Sequence, residues 1–390
     1  MSLATKRNGW RDGKLSDLVV FQRGYDITVA QQRPGPHPVI SSSGVTSYHD
    51  EYKAEGPGVV IGRKGTIGSI HFADSNYWPH DTTLWSKDLK GNNARFVFYF
   101  LHTVDLKRFD VGNSNPTLNR NHIHDLPIWI PQRPIQDQIA SVLAAYDDLI
   151  ENNRRRMKLL EDAARLLYQE WFVRLRFPGH ERVRVKDGVP EGWRVLALGD
   201  ALADIDSGGR PKGGAVDADG IPSIGAENVL GIGQYDFSKE KFIPENYFER
   251  MTGGVVKNRD VLLYKDGANI GRSSYVGDGF PHDKCAVNEH VFLLRSRDDI
   301  GQNFLYFWIS TDESRQRIAN LNANCAQPGI SRERLKGLLM TLPTAALVRE
   351  FNESVEPQVK LIFRLAVMNR RLRAARDLLL PRLMSGEVEV

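Results

Sequence analysis

Cysteine is nearly absent from this sequence: 390 residues hold two, Cys285 and Cys325, with no CxxC spacing. That argues against a disulfide framework or a cysteine-based zinc site and fits a reducing cytoplasm. Long apolar runs are missing too. Nothing approaches the roughly 18 residues of a membrane-spanning helix, and the polar start MSLATKRNGW lacks the apolar stretch of a secretory signal, so no membrane partner is expected. Charge of one sign is scarce: 52 Lys and Arg stand against 48 Asp and Glu, a net charge of +4. With a pI near 8.9 the chain can bind nucleic acid, but charge alone does not announce it.

The signatures of catalysis are lacking as well. Gly208 to Gly214 reads GGRPKGG, glycine-rich and basic but without the spacing of a phosphate loop. There is no G-x-S-x-G elbow, no H-E-x-x-H and no G-x-G-x-x-G after a strand. Asn115-Pro116-Thr117-Leu118 is not the Asn/Asp-Pro-Pro-aromatic motif of an amino-methyltransferase. Asp26 followed by Glu51-Tyr52-Lys53 can be forced into the acid plus E-x-K pattern of a nuclease, but three such residues arise easily by chance. The pairs His122/His124 and His80/His282 lack the spacing and carboxylate company of a metal set. No catalytic residue, metal or cofactor is therefore expected, and the chain reads as a binding protein.

What is present is a seam. Ile139, Leu143, Tyr146, Ile150, Asn153, Met157, Leu160, Ala164, Leu167 and Trp171 follow one another in steps of four and three. Apolar residues every 3.5 positions put a narrow stripe on one helix face, and such a stripe wants a partner helix. A helix from about Ile135 to Phe172 is roughly 57 Å long, enough to hold two things apart. Asn153 is the polar member of the seam and a candidate for fixing its register.

The partner lies in the same chain. PTAALVREFNESVEPQVKLIFRLAVMNRRLRAARDLLLPRLM, from Pro343 to Met384, repeats the stretch that begins at Pro131, 212 positions earlier. Ile139 falls on Phe351, Leu160 on Leu372, Leu167 on Leu379 and Trp171 on Leu383. Asn153 falls on Leu365, with Asn369 four residues beyond. Pro357 and Pro381 interrupt the second copy, so a shorter or bent helix is expected there. The basic clusters Arg154, Arg155, Arg156, Lys158 and Arg370, Arg371, Arg373, Arg376 read equally well as solvated helix faces.

The remainder repeats too. Trp10, Leu15 and Asp17 match Trp193, Leu198 and Asp200; Ile67-Gly68 matches Ile270-Gly271; Trp78-Pro79-His80-Asp81 matches Phe280-Pro281-His282-Asp283; Asn115-Pro116 and Arg120 match Gln327-Pro328 and Arg332. The offset grows from 183 through about 202 to 212, as insertions in the second copy require. Runs such as VVIG, SIHF, LPIWI, VLLY and HVFLLR read as strands. ARFVFYFLHTVDLKRF and NFLYFWISTDESRQRIANL read as amphipathic helices packed on them.

The expected fold is α+β: two globular target-recognition domains separated by a pair of long antiparallel coiled-coil helices with an internal pseudo-two-fold repeat. The boundaries are 1–132 and 179–342 for the globular parts, 133–178 and 343–386 for the helices. Matched loops with different polar tips, Arg63-Lys64-Gly65-Thr66 against Lys265-Asp266-Gly267-Ala268-Asn269, suit two different half-sites on DNA, glycine allowing close approach and Arg, Lys, Asn and Thr supplying hydrogen bonds. A tight turn carrying solvated residues is the plainer alternative. Candidate DNA-binding residues in the first head are Arg23, Tyr25, Ser41, Ser42, Ser43, Arg63, Lys64, Thr66, His80, Asn113, Asn115 and Arg120. In the second they are Arg210, Lys212, Asn228, Lys265, Asn269, Arg272, His282, Gln327 and Arg332.

The PEGW-x-x-x-x-L-G-D opening at Pro190 to Asp200, the K-G-T-I-G loop at Lys64 to Gly68 and the I-P-x-x-x-I-x-x-Q-I entry at Ile130 to Ile139, in their head, helix, head, helix order, resemble the specificity (S) subunits of type I restriction-modification systems. The resemblance covers essentially the whole chain. It implies a subunit without catalytic residues, in which each head reads one half of a split, asymmetric site on double-stranded DNA. The paired helices would then space the heads and dock two methyltransferase (M) subunits, with restriction (R) subunits joining them. An adaptor whose paired helices assemble a complex without touching nucleic acid is the alternative.

Overall fold

A computed structural model of the chain describes residues 8–109, 117–216, 219–322 and 329–390. It divides into two units, Met1–Leu149 with Leu372–Val390, and Ile150–Arg371. The first contains β1 (Trp10–Lys14), α1 (Leu15–Leu18), β2 (Val20–Arg23), β3 (His37–Ser41), β4 (Gly44–His49), β5 (Gly58–Gly62), β6 (Ile70–Ala73), β7 (Trp78–Pro79), β8 (Thr83–Asp88), α2 (Ala94–Leu101), α3 (Arg120–His124) and β9 (Pro127–Pro131). The long helix α4 (Arg133–Tyr168) begins in this unit and continues into the second.

The second unit has a small hairpin, β10 (Val185–Lys186) and β11 (Val189–Pro190), then β12 (Arg194–Ala197), α5 (Leu198–Ala201), β13 (Leu202–Ser207), β14 (Ile221–Ile224), β15 (Lys241–Ile243), α6 (Glu245–Phe248), β16 (Val261–Tyr264), β17 (Ser273–Tyr275), β18 (Ala286–Val287) and β19 (Val291–Ser296). After these come α7 (Gln302–Ile309), α8 (Asp312–Asn320), α9 (Arg332–Lys336), β20 (Leu339–Leu342) and the second long helix, α10 (Ala345–Met384).

The repeat is visible in the sheets. The first unit orders its strands β2-β8-β5-β6, β4-β3-β7 and β1-β9; the second orders them β13-β19-β16-β17, β15-β14-β18 and β12-β20. A parallel step recurs as well, β3 with β7 and β14 with β18. The VVIG run forms β5, buried along its whole length between β8 and β6, as a continuous β-branched run should be.

Strand register corrects one match made from sequence. The His80 N–H donates to the Ile40 carbonyl, and the Asn288 N–H donates to the corresponding Ile224 carbonyl. Trp78-Pro79-His80-Asp81 therefore corresponds to Ala286-Val287-Asn288-Glu289, not to Phe280-Pro281-His282-Asp283. The second copy carries five extra residues before β18, and the Phe-Pro-His-Asp string falls inside them. The two expected head helices are also broken: α2 ends at Leu101, and α7 and α8 are separated because Thr311 caps α8, its hydroxyl accepting from the Ser314 N–H at 3.2 Å.

Most of the heptad seam is buried: Ile139, Leu143, Ile150, Asn153, Met157 and Ala164 are buried, and Tyr146, Leu160, Leu167 and Trp171 are half-buried. In each unit the two long helices run antiparallel, Asp147 meeting Arg376 in the first, and Asn153 meeting Asn369 and Tyr168 meeting Phe351 in the second. The second helix is not the shorter one. It has 40 residues against 36, and both Pro357 and Pro381 sit inside it. Fully buried Val355 and Val359 flank Pro357, and their packing offsets the lost backbone hydrogen bond. The basic clusters are partly spent within the helices, Arg155 on Glu151 at 3.1 Å and Lys158 on Asp162 at 2.5 Å.

Antiparallel pairing explains why Asn153 has a leucine at its repeat position. The Asn153 Nδ2 donates to Asn369 Oδ1 at 2.9 Å, and Asn369 Nδ2 donates to the Ile150 carbonyl at 3.3 Å. The 212-residue offset carries this pair onto Leu365 and Met157, which lie in one apolar cluster. One crossing is polar and its pseudo-symmetric mate is apolar. Replacing Asn153 by Leu or Asn369 by Met strands a buried amide and is expected to cost about 1–2 kcal/mol each. The double substitution, which copies the apolar crossing, should recover most of that loss in chemical denaturation; additive losses would show that the two amides are not coupled.

Each head is fastened to the helices through a tyrosine at the same place on its packing helix. The Tyr99 hydroxyl donates to Asp147 at 2.6 Å, and Arg165 holds the Tyr306 hydroxyl at 3.3 Å while ion-pairing Glu161 at 2.6 Å. The tyrosine is common to both copies, and the charged partner differs.

Candidate nucleic-acid interface

In the first head the antiparallel order β2-β8-β5-β6 brings the ends of β2 and β5 and the beginnings of β6 and β8 to one end of the sheet. Three segments meet there. Residues 24–26 leave β2, residues 63–69 link β5 to β6, and residues 80–82 lead into β8. Their backbones are tied together: the Arg63 and Lys64 N–H groups both donate to the Thr82 carbonyl, at 2.8 and 3.1 Å, and the Tyr25 N–H donates to the Pro79 carbonyl at 2.8 Å. Gly24 is required because the strand runs directly over the turn, and a Cβ there would lie 2.1 Å from the His80 carbonyl oxygen.

The first of these hydrogen bonds recurs in the second head. The Lys265 N–H donates to the His290 carbonyl at 3.1 Å, and Gly208 takes the place of Gly24, where a Cβ would lie 1.6 Å from the Val287 carbonyl oxygen. A fourth segment joins each cluster, the Leu118 N–H donating to the Arg63 carbonyl and the Ile330 N–H to the Lys265 carbonyl, both at 2.9 Å. Arg120 and Arg332 follow two residues later as the first residues of α3 and α9.

The first cluster collects most of the residues expected from sequence. Arg23 pairs with Asp81 at 2.9 Å, and His80 Nδ1 lies 3.1 Å from Asp81 and from Thr82 Oγ1. The β3–β4 turn enters through Ser42, whose N–H donates to Thr82 Oγ1 at 3.3 Å and whose carbonyl accepts from Ser69 Oγ at 2.5 Å; Ser41 and Ser43 share a hydrogen bond beside it. Lys64 and Thr66 are exposed at the loop tip, while Tyr25 leans on Trp78 and Trp85. The Arg63 Nη1 is buried with no hydrogen-bond partner among the described residues. Burial, with Arg23 close by, pulls its guanidinium below the ordinary value.

In the second cluster Arg210 approaches Glu289 to 3.9 Å, His290 bridges Asp266 at 2.8 Å and Glu289 at 3.5 Å, and Lys265 lies 4.7 Å from the centre of the Phe292 ring. Asn269 is exposed at the tip and Lys212 beyond Arg210. The Arg272 carbonyl accepts from the Tyr264 N–H at 2.8 Å where the loop closes.

Two expected residues lie elsewhere. Asn228 is buried, its amide accepting from the Gly225 N–H at 3.4 Å and donating to the Asp236 carbonyl at 2.9 Å. His282 is held by Glu240 at 2.5 Å between Tyr235 and Phe237. Asn113, Asn115 and Gln327 fall outside the described residues. Sequence reasoning missed Asp81, Glu289 and His290. The signal for them was that His-Asp-Thr and Asn-Glu-His immediately precede the runs TLWS and VFLLR.

Contrary to expectation, His80 does have carboxylate company: Asp26, His80 and Asp81 bring ligand atoms within 4.8 Å of one another. With Arg23 lying on Asp81, a guanidinium already meets that charge. Cys285 is buried, and desolvation pushes its thiol up to about 12, so it is no nucleophile. Among the described residues no helix is long and apolar enough to cross a membrane.

The family model described as type I restriction modification DNA specificity domain matches residues 7–162. The type I restriction enzyme MjaVIII specificity subunit of Methanocaldococcus jannaschii is 24% identical over 305 residues, covering 76% of this chain and 70% of that one. The MjaIX specificity subunit of the same organism is 22% identical over 308 residues, covering 76% and 69%. Among solved structures, the S subunit of a type I restriction-modification system from M. genitalium shares the fold over 98% of both chains, with a TM-score of 0.63 and 14% identity.

Proposed function

The chain belongs with the type I restriction-modification DNA specificity subunits, and on that premise we propose that it reads a split, asymmetric site on double-stranded DNA, one half-site with each head. The observation that carries this reading is the pair of loop clusters: one strand framework and several matching backbone hydrogen bonds, bearing different polar side chains. A common scaffold with different tips gives two heads the same approach to a groove and different base preferences. Lys64, Arg120, Lys212 and Arg332 contact phosphates and set position; Thr66, Ser43 and Asn269 address base edges. Two methyltransferase subunits dock on α4 and α10, restriction subunits join that assembly, and the chemistry belongs to those partners. The long helices act as the spacer between half-sites.

The test is selection of duplexes from a randomised pool by the chain together with its methyltransferase subunits. Two short motifs separated by a fixed gap are expected, with binding that weakens steeply as salt rises. Asn269→Ala should relax positions in one motif only. Relaxation of both motifs together would contradict the two-headed reading, and no binding at any salt would return the chain to the adaptor alternative.

A further inference from the structure

Each loop cluster brings together an arginine, a carboxylate and a histidine, the arginine hydrogen-bonded to the carboxylate at 2.9 Å in the first head and 3.9 Å from it in the second, although two of the three come from different places in the two copies. In the first head they are Arg23, Asp81 and His80; in the second, Arg210, Glu289 and His290. Only the carboxylate keeps its position: strand register makes Asp81 and Glu289 equivalent, the second residues after β7 and β18. Arg23 is the last residue of β2, whereas Arg210 lies three residues past the end of β13. His80 precedes its carboxylate and His290 follows its own. Two arginines that reach one carboxylate position by different routes mark that position as the organising element.

A carboxylate on a surface that faces DNA phosphate weakens the general electrostatic grip, so phosphate attraction does not explain it. What a carboxylate does supply is a hold on one side of a planar fork. Arg23 uses only Nη2 on Asp81, at 2.9 Å, which leaves its other donors and a side chain 56% exposed. Arg210 is 70% exposed and lies within ion-pair distance of Glu289. A guanidinium held at one edge offers the other in a fixed plane, and the parallel pair of acceptors that matches it on a base edge is guanine O6 and N7 in the major groove. His80 lies 3.1 Å from the Asp81 oxygen that Arg23 leaves free, and His290 lies 3.5 Å from the same Glu289 oxygen that Arg210 approaches.

We propose that Arg23 and Arg210 each read a guanine, one in each half-site, and that Asp81 and Glu289 are the positioning residues that aim them. This rests on the reading of the chain as a DNA-recognition subunit. Each half-site then contains a G·C pair whose recognition depends on a carboxylate that itself need not touch the base.

The duplex selection above, repeated with Asp81→Asn, Asp81→Glu and Glu289→Gln, separates the possibilities. Asp81→Asn should reduce the preference for G·C roughly tenfold at one position of one motif, leaving its other positions and the second motif intact. Glu289→Gln should do the same in the second motif only, and Asp81→Glu should keep the wild-type preference. An even change in affinity across all sequences, or unchanged G·C preferences beside intact motifs, would overturn this inference and leave the DNA-reading function standing. A wild-type chain that returns no motif would overturn both.

Discussion

Phe351→Ala is expected to lower the stability of the second unit by about 3–5 kcal/mol, the range for truncating a buried phenylalanine to alanine. Phe351 is fully buried, and its ring lies 5.1–6.2 Å from those of Phe172, Tyr168, Phe307, Trp171 and Phe304. These neighbours come from the end of α4, from the single π turn at Gln169–Val173 that follows it, and from α7. The ring thus joins both long helices to the head helix, and no one neighbour can move to fill the space. Phe351→Leu keeps most of the volume and should cost less than about 1.5 kcal/mol. Urea denaturation followed by tryptophan fluorescence checks both; equal losses for Leu and Ala would show that ring packing is not the source.

The second large effect is expected at Arg295. Its Nε and Nη2 each donate to the Asp260 carboxylate at 2.7 Å, Nη2 also to the Val255 carbonyl at 3.0 Å, and Nη1 to Asp204 at 2.8 Å. Asp260 is buried, 2% exposed in its side chain. Arg295→Met therefore strands a carboxylate inside the protein, and breaking a buried pair in this way costs about 3–5 kcal/mol. Burial already pushes the Asp260 carboxyl above its ordinary value, against the pull of Arg295. Without Arg295 the shift grows.

The direction of the pH dependence follows. A carboxyl whose folded-state pKa lies above its unfolded value contributes its stability when protonated, and loses it as pH rises through the folded value. The Arg295→Met deficit should be largest at neutral pH and shrink on acidification into the window above the usual carboxylate range. Adding Asp260→Asn should recover much of the loss at pH 7. A deficit that does not change with pH would mean that the arginine acts by packing its stem rather than by its charge.

These two residues also show how unevenly the sequence reveals the structure. Phe351 could be placed beforehand, because the repeat aligns it with Ile139 of the first seam and the seam had to be buried. Arg295 and Asp260 gave no sign. Arg295 stands on β19 and Asp260 immediately precedes the neighbouring strand β16, and the 35 positions between them along the chain carry no periodic record of their meeting. The candidate interface divides in the same way. The loop tips at Lys64 to Thr66 and at Asn269 were legible from glycine and polar residues between two strand-like runs. The Asp81 and Glu289 equivalence was not, because His80-Asp81 has a closer-looking copy in His282-Asp283, inside an insertion. Asn228 looked like a polar loop residue and is a buried cap.

By itself the sequence determined the duplication, the α+β character of each head and the two helices with their buried seam. Each is written in local periodicity, which reflects the geometry of a single element and survives insertions elsewhere. Only the tertiary structure decided which side chains converge: Arg23 on Asp81, Arg210 near Glu289, Asn153 on Asn369 rather than on the equivalent of either. In an antiparallel pair, partners move in opposite directions along the two segments, so matching one copy to the other does not reveal who meets whom. That is settled by strand register and helix pairing, which bring together residues that the linear order keeps 58, 79 and 216 positions apart.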